Sequence, residues 1–286
     1  MVISQFEKAE RFCALHRQSK AFVIANPWDV GSARILEGLG FQALATTSAG
    51  YALSRGQHDG SFTREENLAH AREIVGATAL PVSADLENGF GDTPEAVAET
   101  IRLAGETGLV GASIDDATGL KDAPIYEVNL AVERMVAAVE AAQALPFDFT
   151  LVARAENYLY GRPDFADTLG RLQRFEAAGA DVLYAPGLND LDSIRTVCST
   201  LSRPVNVVAG LGGAQHTVRE YSDAGVRRIS LGSTLSRVAF GALIHAAREI
   251  IDDGSFTAAM NLAATKDQLK PYLGDPVVTP PTKIPT

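Results

Sequence analysis

A chain of 286 residues carrying a net charge of −10 is a poor partner for polyanions: its own field repels nucleic acid phosphates and anionic lipid surfaces, so neither is expected to bind. With 46% hydrophobic and 21% charged residues it can bury a large core in water, and no apolar run reaches the length that spans a bilayer. The length would allow two domains, yet a single α/β barrel also runs to this size and no linker divides the sequence, so one domain over 1–286 is expected.

The opening "MVISQFEKAERFCALHRQSK" is amphipathic and charged, without an apolar h-region or cleavage site, and reads as a leading helix. Eight short apolar, β-rich runs follow, at 21–26, 43–48, 80–86, 110–116, 149–156, 181–186, 204–210 and 227–233. Segments with helical periodicity lie between them, at 31–40, 94–108, 130–145, 165–180 and 213–226. Strands that alternate with helices make βαβ units and a parallel sheet. In "LEGLGF", "AGETGLVG", "FEAAGADV" and "YSDAGVRR" a glycine stands just past the helical run, where a left-handed residue ends a helix. Eight strands in eight such units favour a closed (β/α)8 TIM barrel. A further helix over 235–251 follows the last strand, and an extension from about 252 ends in the proline-rich "GDPVVTPPTKIPT", which cannot form a regular element. Cys13 and Cys198 are far apart, match no metal-ligand spacing and read as reduced thiols of a cytoplasmic protein.

Barrel active sites lie at the C-terminal ends of the strands. Strand one ends in Asn26, Pro27, Trp28 and Asp29; strand two ends in Thr46, Thr47 and Ser48 and its loop carries Asp59. Strand three ends in Asp85 and Glu87, strand four in Asp115 and Asp116, strand five in Arg154, Glu156 and Asn157. Carboxylates thus converge from four of five consecutive strands. Crowded like charges repel, and a hard divalent cation neutralises them. All candidate ligands are oxygens, which selects Mg²⁺ or Mn²⁺ over zinc. Glu87 lies two residues beyond Asp85, so on an extended strand both point to one side, and for the same reason only one of Asp115 and Asp116 faces inward. Asp29 and Asp92 read as helix N-caps, the second ahead of Thr93 and Pro94. Arg154 can clamp a carboxylate or phosphonate bidentately, or serve in a salt bridge to Glu156.

At "SADLENGFGD" the sequence resembles the isocitrate lyase / phosphoenolpyruvate mutase superfamily, and the likeness extends through "NPWDVGSARILEGLGFQALATTSAG", "RGQHDG", "GASIDD" and "LVARAENY". The resemblance implies a (β/α)8 barrel whose last helix is exchanged between subunits, in a homotetramer built as a dimer of dimers. It implies Asp85 as direct Mg²⁺ ligand, with Asp59, Glu87 and Asp115 reaching the metal through water. Thr47, Ser48, Ala49 and Gly50 would form the turn that holds a substrate carboxylate, with Trp28 and Asn157 also on the substrate and Arg154 as anion clamp. Catalytic roles then fall to Asp59, Glu87, Arg154 and Lys121. The implied chemistry is cleavage of a C–C or C–P bond in a small 2-oxo acid or its adduct through a metal-stabilised enolate.

The strand-four loop departs from the lyases that use a cysteine. It reads "ATGLKDAPIYEVN", with neither cysteine nor histidine, which argues against isocitrate or methylisocitrate cleavage. Lys121 could match a lysine of the mutase loop, but no asparagine follows it at the expected place. The pocket wall is expected from Trp28, Tyr51, Tyr158, Pro186 and this loop. A Schiff-base aldolase is disfavoured because no lysine ends a strand. A zinc hydrolase is disfavoured because the five histidines are scattered. A phosphate or flavin site on "AGLGGAQ" and "LGSTLSR" is the competing reading, with a non-catalytic binding barrel behind it.

Overall fold

The computed structural model describes residues 3–210 and 216–274. After α1 (Gln5–His16) the chain runs β1 (Phe22–Ile24), α2 (Val30–Gly38), β2 (Leu44–Ala45), α3 (Ser48–Arg55), α4 (Arg64–Ala77), β3 (Val82–Asp85) and α5 (Pro94–Gly105). It continues through β4 (Gly111–Asp115), α6 (Val128–Gln143), β5 (Thr150–Arg154), α7 (Phe165–Ala177), β6 (Val182–Tyr184) and α8 (Leu191–Thr200). The last elements are β7 (Val205–Val208), α9 (Val218–Asp223), β8 (Arg228–Ser230), α10 (Thr234–Asp253), α11 (Thr257–Leu262) and α12 (Lys266–Leu269). All eight strands are parallel in the order β1-β8-β7-β6-β5-β4-β3-β2. A parallel bridge from Ala25 to Leu44, with Ala45 N–H donating to the Ala25 carbonyl at 2.9 Å, closes β1 onto β2. The chain is therefore a (β/α)8 barrel.

Each of the eight apolar runs contains one strand. Gly40, Gly108, Gly179 and Gly225 adopt φ between 91° and 105°, a left-handed conformation that glycine reaches without a Cβ clash. The main core lies between the strands and the surrounding helices, with Ile74, Ile101, Ile114, Leu151 and Phe175 nearly inaccessible. α1 closes the N-terminal end of the barrel: Ala9, Phe12 and Leu15 pack on Phe22, Ile24 and Val110. Gln5 donates to the Gly105 and Leu109 carbonyls at 2.9 and 2.8 Å, and the buried Lys8 Nζ donates to the Thr78 carbonyl at 2.9 Å.

Three helices between the strands lie outside the periodic segments read from sequence, α3, α4 and α8, and the short α11 and α12 fall in the extension past 252. Two of them carry legible starts, the capping box of Thr63 with Glu66 and the Asp190 cap over Ser193 N–H. Asp29 does cap α2, accepting from Ser32 N–H at 2.6 Å. Asp92 is not a cap: Thr93 caps α5, and Asp92 instead accepts the Tyr126 hydroxyl at 2.6 Å. Thr93 holds the extended conformation an N-cap requires and leaves Pro94 at the first helical position, so the cap falls one residue later than read.

Candidate active site

The C-terminal ends of the strands surround a cavity of about 1160 Å³. Asp59, Asp85, Glu87, Asp115 and Glu156 line it, against Arg154 within and Lys121 at the exposed rim. Asp85 is the hub. Its Oδ1 accepts from Arg154 Nη1 at 2.9 Å and from Glu87 N–H at 3.3 Å, and its Oδ2 accepts from Ser48 Oγ at 3.1 Å. Thr46 Oγ1 accepts the Asp85 amide at 3.0 Å, fixing the strand end from the neighbouring β2 side.

Glu87 reaches the cavity by a turn and not by strand alternation. β3 stops at Asp85, and Glu87 has φ 49° and Phe90 φ 59°. Left-handed backbone costs a non-glycine residue roughly 1–2 kcal/mol, and such strain collects where a side chain must be aimed. The turn is held from outside. Arg134, buried on α6, donates to the Asn88 and Gly91 carbonyls and stacks over the Tyr126 ring at 4.1 Å. Glu87 Oε1 is buried without a partner. Burial, then repulsion from Asp85 and Asp59, pushes the Glu87 carboxyl up to about 7.

Alternation does decide the next pair. Asp115 lines the cavity, while Asp116 turns outward to Arg171 at 3.0 Å and accepts the Glu156 amide at 2.8 Å. Burial and the nearby Glu156 raise the Asp115 carboxyl well above its usual range. Arg154 binds two acids at once, Glu156 through Nε at 2.8 Å and Asp85 through Nη1. Although burial disfavours its charge, Glu156, Asp85 and Asp115 hold it firmly protonated. The salt bridge to Glu156 is thus present, with Asp85 on the other arm of the same guanidinium.

The expected carboxylate-holding turn is the first turn of a helix. Thr47 caps α3, accepting Gly50 N–H at 3.2 Å, and Ser48 and Ala49 line the cavity at the positive end of the helix dipole. Gly50 has no room for a side chain: a Cβ there would meet Thr47 Cγ2 at 2.5 Å. Gly50, Trp28 and Asn157 lie off the cavity. The Trp28 carbonyl meets His70 Nε2 at 3.0 Å, and Asn157 Nδ2 donates to Asp167 on α7 at 2.7 Å. Tyr51 stacks on His70 and Tyr158 packs beside Gly187, so Pro186 and the strand-four loop supply the expected wall without them. Phe62, Phe90, Leu159, Tyr160 and Tyr184 supply the rest, none of which carried a sequence signal. Neither Cys13 nor Cys198 lines the cavity.

The competing phosphate loop divides. Leu211–Gln215 of "AGLGGAQ" lie outside the described residues. In "LGSTLSR" the Leu231 and Gly232 amides donate to Asn26 Oδ1 at 2.9 and 3.0 Å, so they are already engaged.

The donor set suits a hard cation. Its acidic members are all carboxylates, one buried carboxylate oxygen lacks a partner, and the Arg154 guanidinium at their centre is already tied to two of them. Among the described residues no three His, Cys, Asp or Glu side chains form a group placed to hold a metal ion.

The family described as phosphoenolpyruvate phosphomutase matches residues 12–251. The chain is similar to the crystal structure of a putative lyase/mutase from Burkholderia cenocepacia J2315, with 54% identity, a TM-score of 0.91, and coverage of 93% of this chain and 96% of that one. It is 32% identical over 265 residues to an uncharacterized protein of Mycobacterium tuberculosis H37Rv, covering 91% of this chain and 96% of the relative. It is 27% identical over 271 residues to 2-methylisocitrate lyase of Halalkalibacterium halodurans, covering 93% and 89%.

Proposed function

From a chain that belongs to the phosphoenolpyruvate phosphomutase family of the isocitrate lyase / PEP mutase superfamily, we propose a Mg²⁺- or Mn²⁺-dependent carbon–carbon lyase acting on a small 2-oxo acid or its hydroxy-acid adduct. The observation that carries the reading is the acidic pole around Asp85, assembled from separate strands and paired with a single buried arginine. Asp85 would be the direct ligand, with Asp59, Glu87 and Asp115 acting through water. When bound, the cation supplies Lewis acidity toward the oxo acid's oxygens.

The chain's own residues do the rest. The first turn of α3, at Ser48 and Ala49, receives a carboxylate. Arg154 holds Asp85 in place and presents positive charge to the bound anion. Phe62, Phe90, Leu120 and Leu159 narrow the mouth against water. Lys121 stands at the rim, where an anionic substrate enters against the protein's overall charge. The strand-four loop supplies no cysteine acid, which favours decarboxylase- or hydrolase-like members over the cysteine-dependent lyases.

A screen of 2-oxo acids and their hydroxy-acid adducts with Mg²⁺, following pyruvate or glyoxylate, tests this. Turnover is expected with Mg²⁺ or Mn²⁺ and is expected to vanish in chelator; full activity in chelator overturns the reading. A phosphonopyruvate arm followed by phosphate release covers C–P cleavage, favoured by the 32% identity to the structure of a putative phosphonomutase from Burkholderia cenocepacia J2315.

Assembly belongs to the same proposal. α10 buries only Ser236 on its own barrel and leaves Val238, Leu243 and Ile251 at 64, 62 and 82% exposure. α11 folds back on it, with Glu249 accepting the Thr257 and Ala258 amides at 2.9 and 2.8 Å. We place this hairpin on a neighbouring subunit, in a tetramer built as a dimer of dimers. Sedimentation at micromolar concentration is expected to show no monomer, and a stable monomer refutes the exchange. The free thiols agree with a reducing cytoplasm, and no helix among the described residues is long and apolar enough to cross a membrane.

A further inference from the structure

Arg228 has no counterpart to its charge. It opens β8 beside Asn206 of β7, lines the cavity from the N-terminal end of its strand, and is 4% exposed. Its Nε and Nη1 are buried without a hydrogen-bond partner, and no ion pair reaches it among the described residues. The contrast with Arg154 and Arg171, each tied to two acids, is complete. Its surroundings are uncharged. The Phe12 ring lies 5.7 Å from its Cζ. Burial and Arg228 itself hold His16 down at about 3, and burial pushes Tyr184 up to about 12, so both are neutral at pH 7. Burial pulls the guanidinium down to about 10, which still leaves it cationic at neutrality. A buried cation without hydration or partner is strongly disfavoured, whereas the same cation beside an anion is not.

We propose that Arg228, with Asn206 beside it, forms an anion site at the floor of the barrel, separate from the acidic pole at its mouth, that takes a compact anion such as a halide or a carboxylate group. Asn206 supports it. Its Nδ2 donates to Ser230 Oγ at 3.1 Å while its Oδ1 is buried and unpartnered. Exchanging the two ends of the amide puts Nδ2 where the unpartnered Oδ1 lies, and Oδ1 then accepts the Ser230 hydroxyl, which otherwise donates to the Val207 carbonyl at 3.2 Å. Val152 and Val208 supply apolar lining to the cavity, which suits a small ion. The cavity gives access from the mouth, since α1 closes the other end. The anion can come from solution or be the distal carboxylate of a ligand held above.

Bromide tests this without turnover, so its failure is separate from failure of the metal reading. Wild-type protein in halide-free buffer is expected to gain several degrees in Tm, saturably, as bromide is added at constant ionic strength. Crystals soaked in bromide should show an anomalous peak within hydrogen-bond distance of the guanidinium. Arg228→Met should lose both. Asn206→Asp supplies a built-in carboxylate, so it should melt above wild type without bromide and gain nothing from it; this variant serves if Arg228→Met does not fold. Succinate that displaces the bromide peak identifies a ligand carboxylate as the source, and a peak that persists beside bound succinate identifies a free anion. Absence of the peak, with equal bromide dependence of Tm in all three proteins, overturns the site.

Discussion

Asp85→Ala is expected to abolish metal binding and to lower metal-dependent turnover by about a thousandfold or more, since it removes the proposed direct ligand and the acceptor of Arg154, Glu87 and Ser48 together. Asp59→Ala should cost less, on the order of 10–100-fold in metal affinity, because an acid acting through water contributes less than a direct ligand. Titration with Mn²⁺ followed by electron paramagnetic resonance checks both. Equal affinity in Asp85→Ala and wild type would move the metal, or remove it.

Arg154→Lys is expected to lose at least about tenfold in kcat/KM, and Arg154→Ala more. The guanidinium reaches Glu156 through Nε and Asp85 through Nη1, whereas an ammonium group is one point of charge on a flexible stem. Arg154→Ala also leaves Glu156, 2% exposed, beside Asp115 without a cation. Breaking such a buried pair costs about 3–5 kcal/mol, so a lower Tm should accompany the lost activity. Arg154→Ala, Glu156→Gln should recover the stability without recovering the activity. Wild-type kinetics in Arg154→Lys would show that the anion clamp lies elsewhere.

The barrel was legible because its signals are local. Short apolar, β-rich runs marked each strand, and glycines beyond four helices marked where the next strand had to start. α3 was hidden because "SAGYALSR" is short and polar at both ends, so its start read as a turn. Its cap, Thr47, was nonetheless among the residues singled out. Strand alternation separated Asp115 from Asp116 but could not place Glu87 or Asn157, since each lies past the end of its strand, where the period of two no longer applies. Trp28 is absent from the cavity lining for a related reason: after Asn26 the chain turns into the Asp29 cap. Arg228 gave no signal at all. In "RRISLGS" it looks like the solvated edge of a strand, and only the barrel's closure turns it inward.

The plug at the barrel's base sets an order of events in folding. α1 is the first helix in the chain, yet its partners are Thr78, Gly105, Leu109, Val110 and Thr150, up to 137 residues away. Phe12 gains its barrel partners Ile24 and Val110 only once β1 and β4 both line the axis, and Lys8 has no acceptor until the chain has passed α4. A segment this short is only marginally helical alone, so the first helix to be synthesised is not seated until the chain has reached at least Thr150. Until then the barrel is open at both ends and Arg228 is in water.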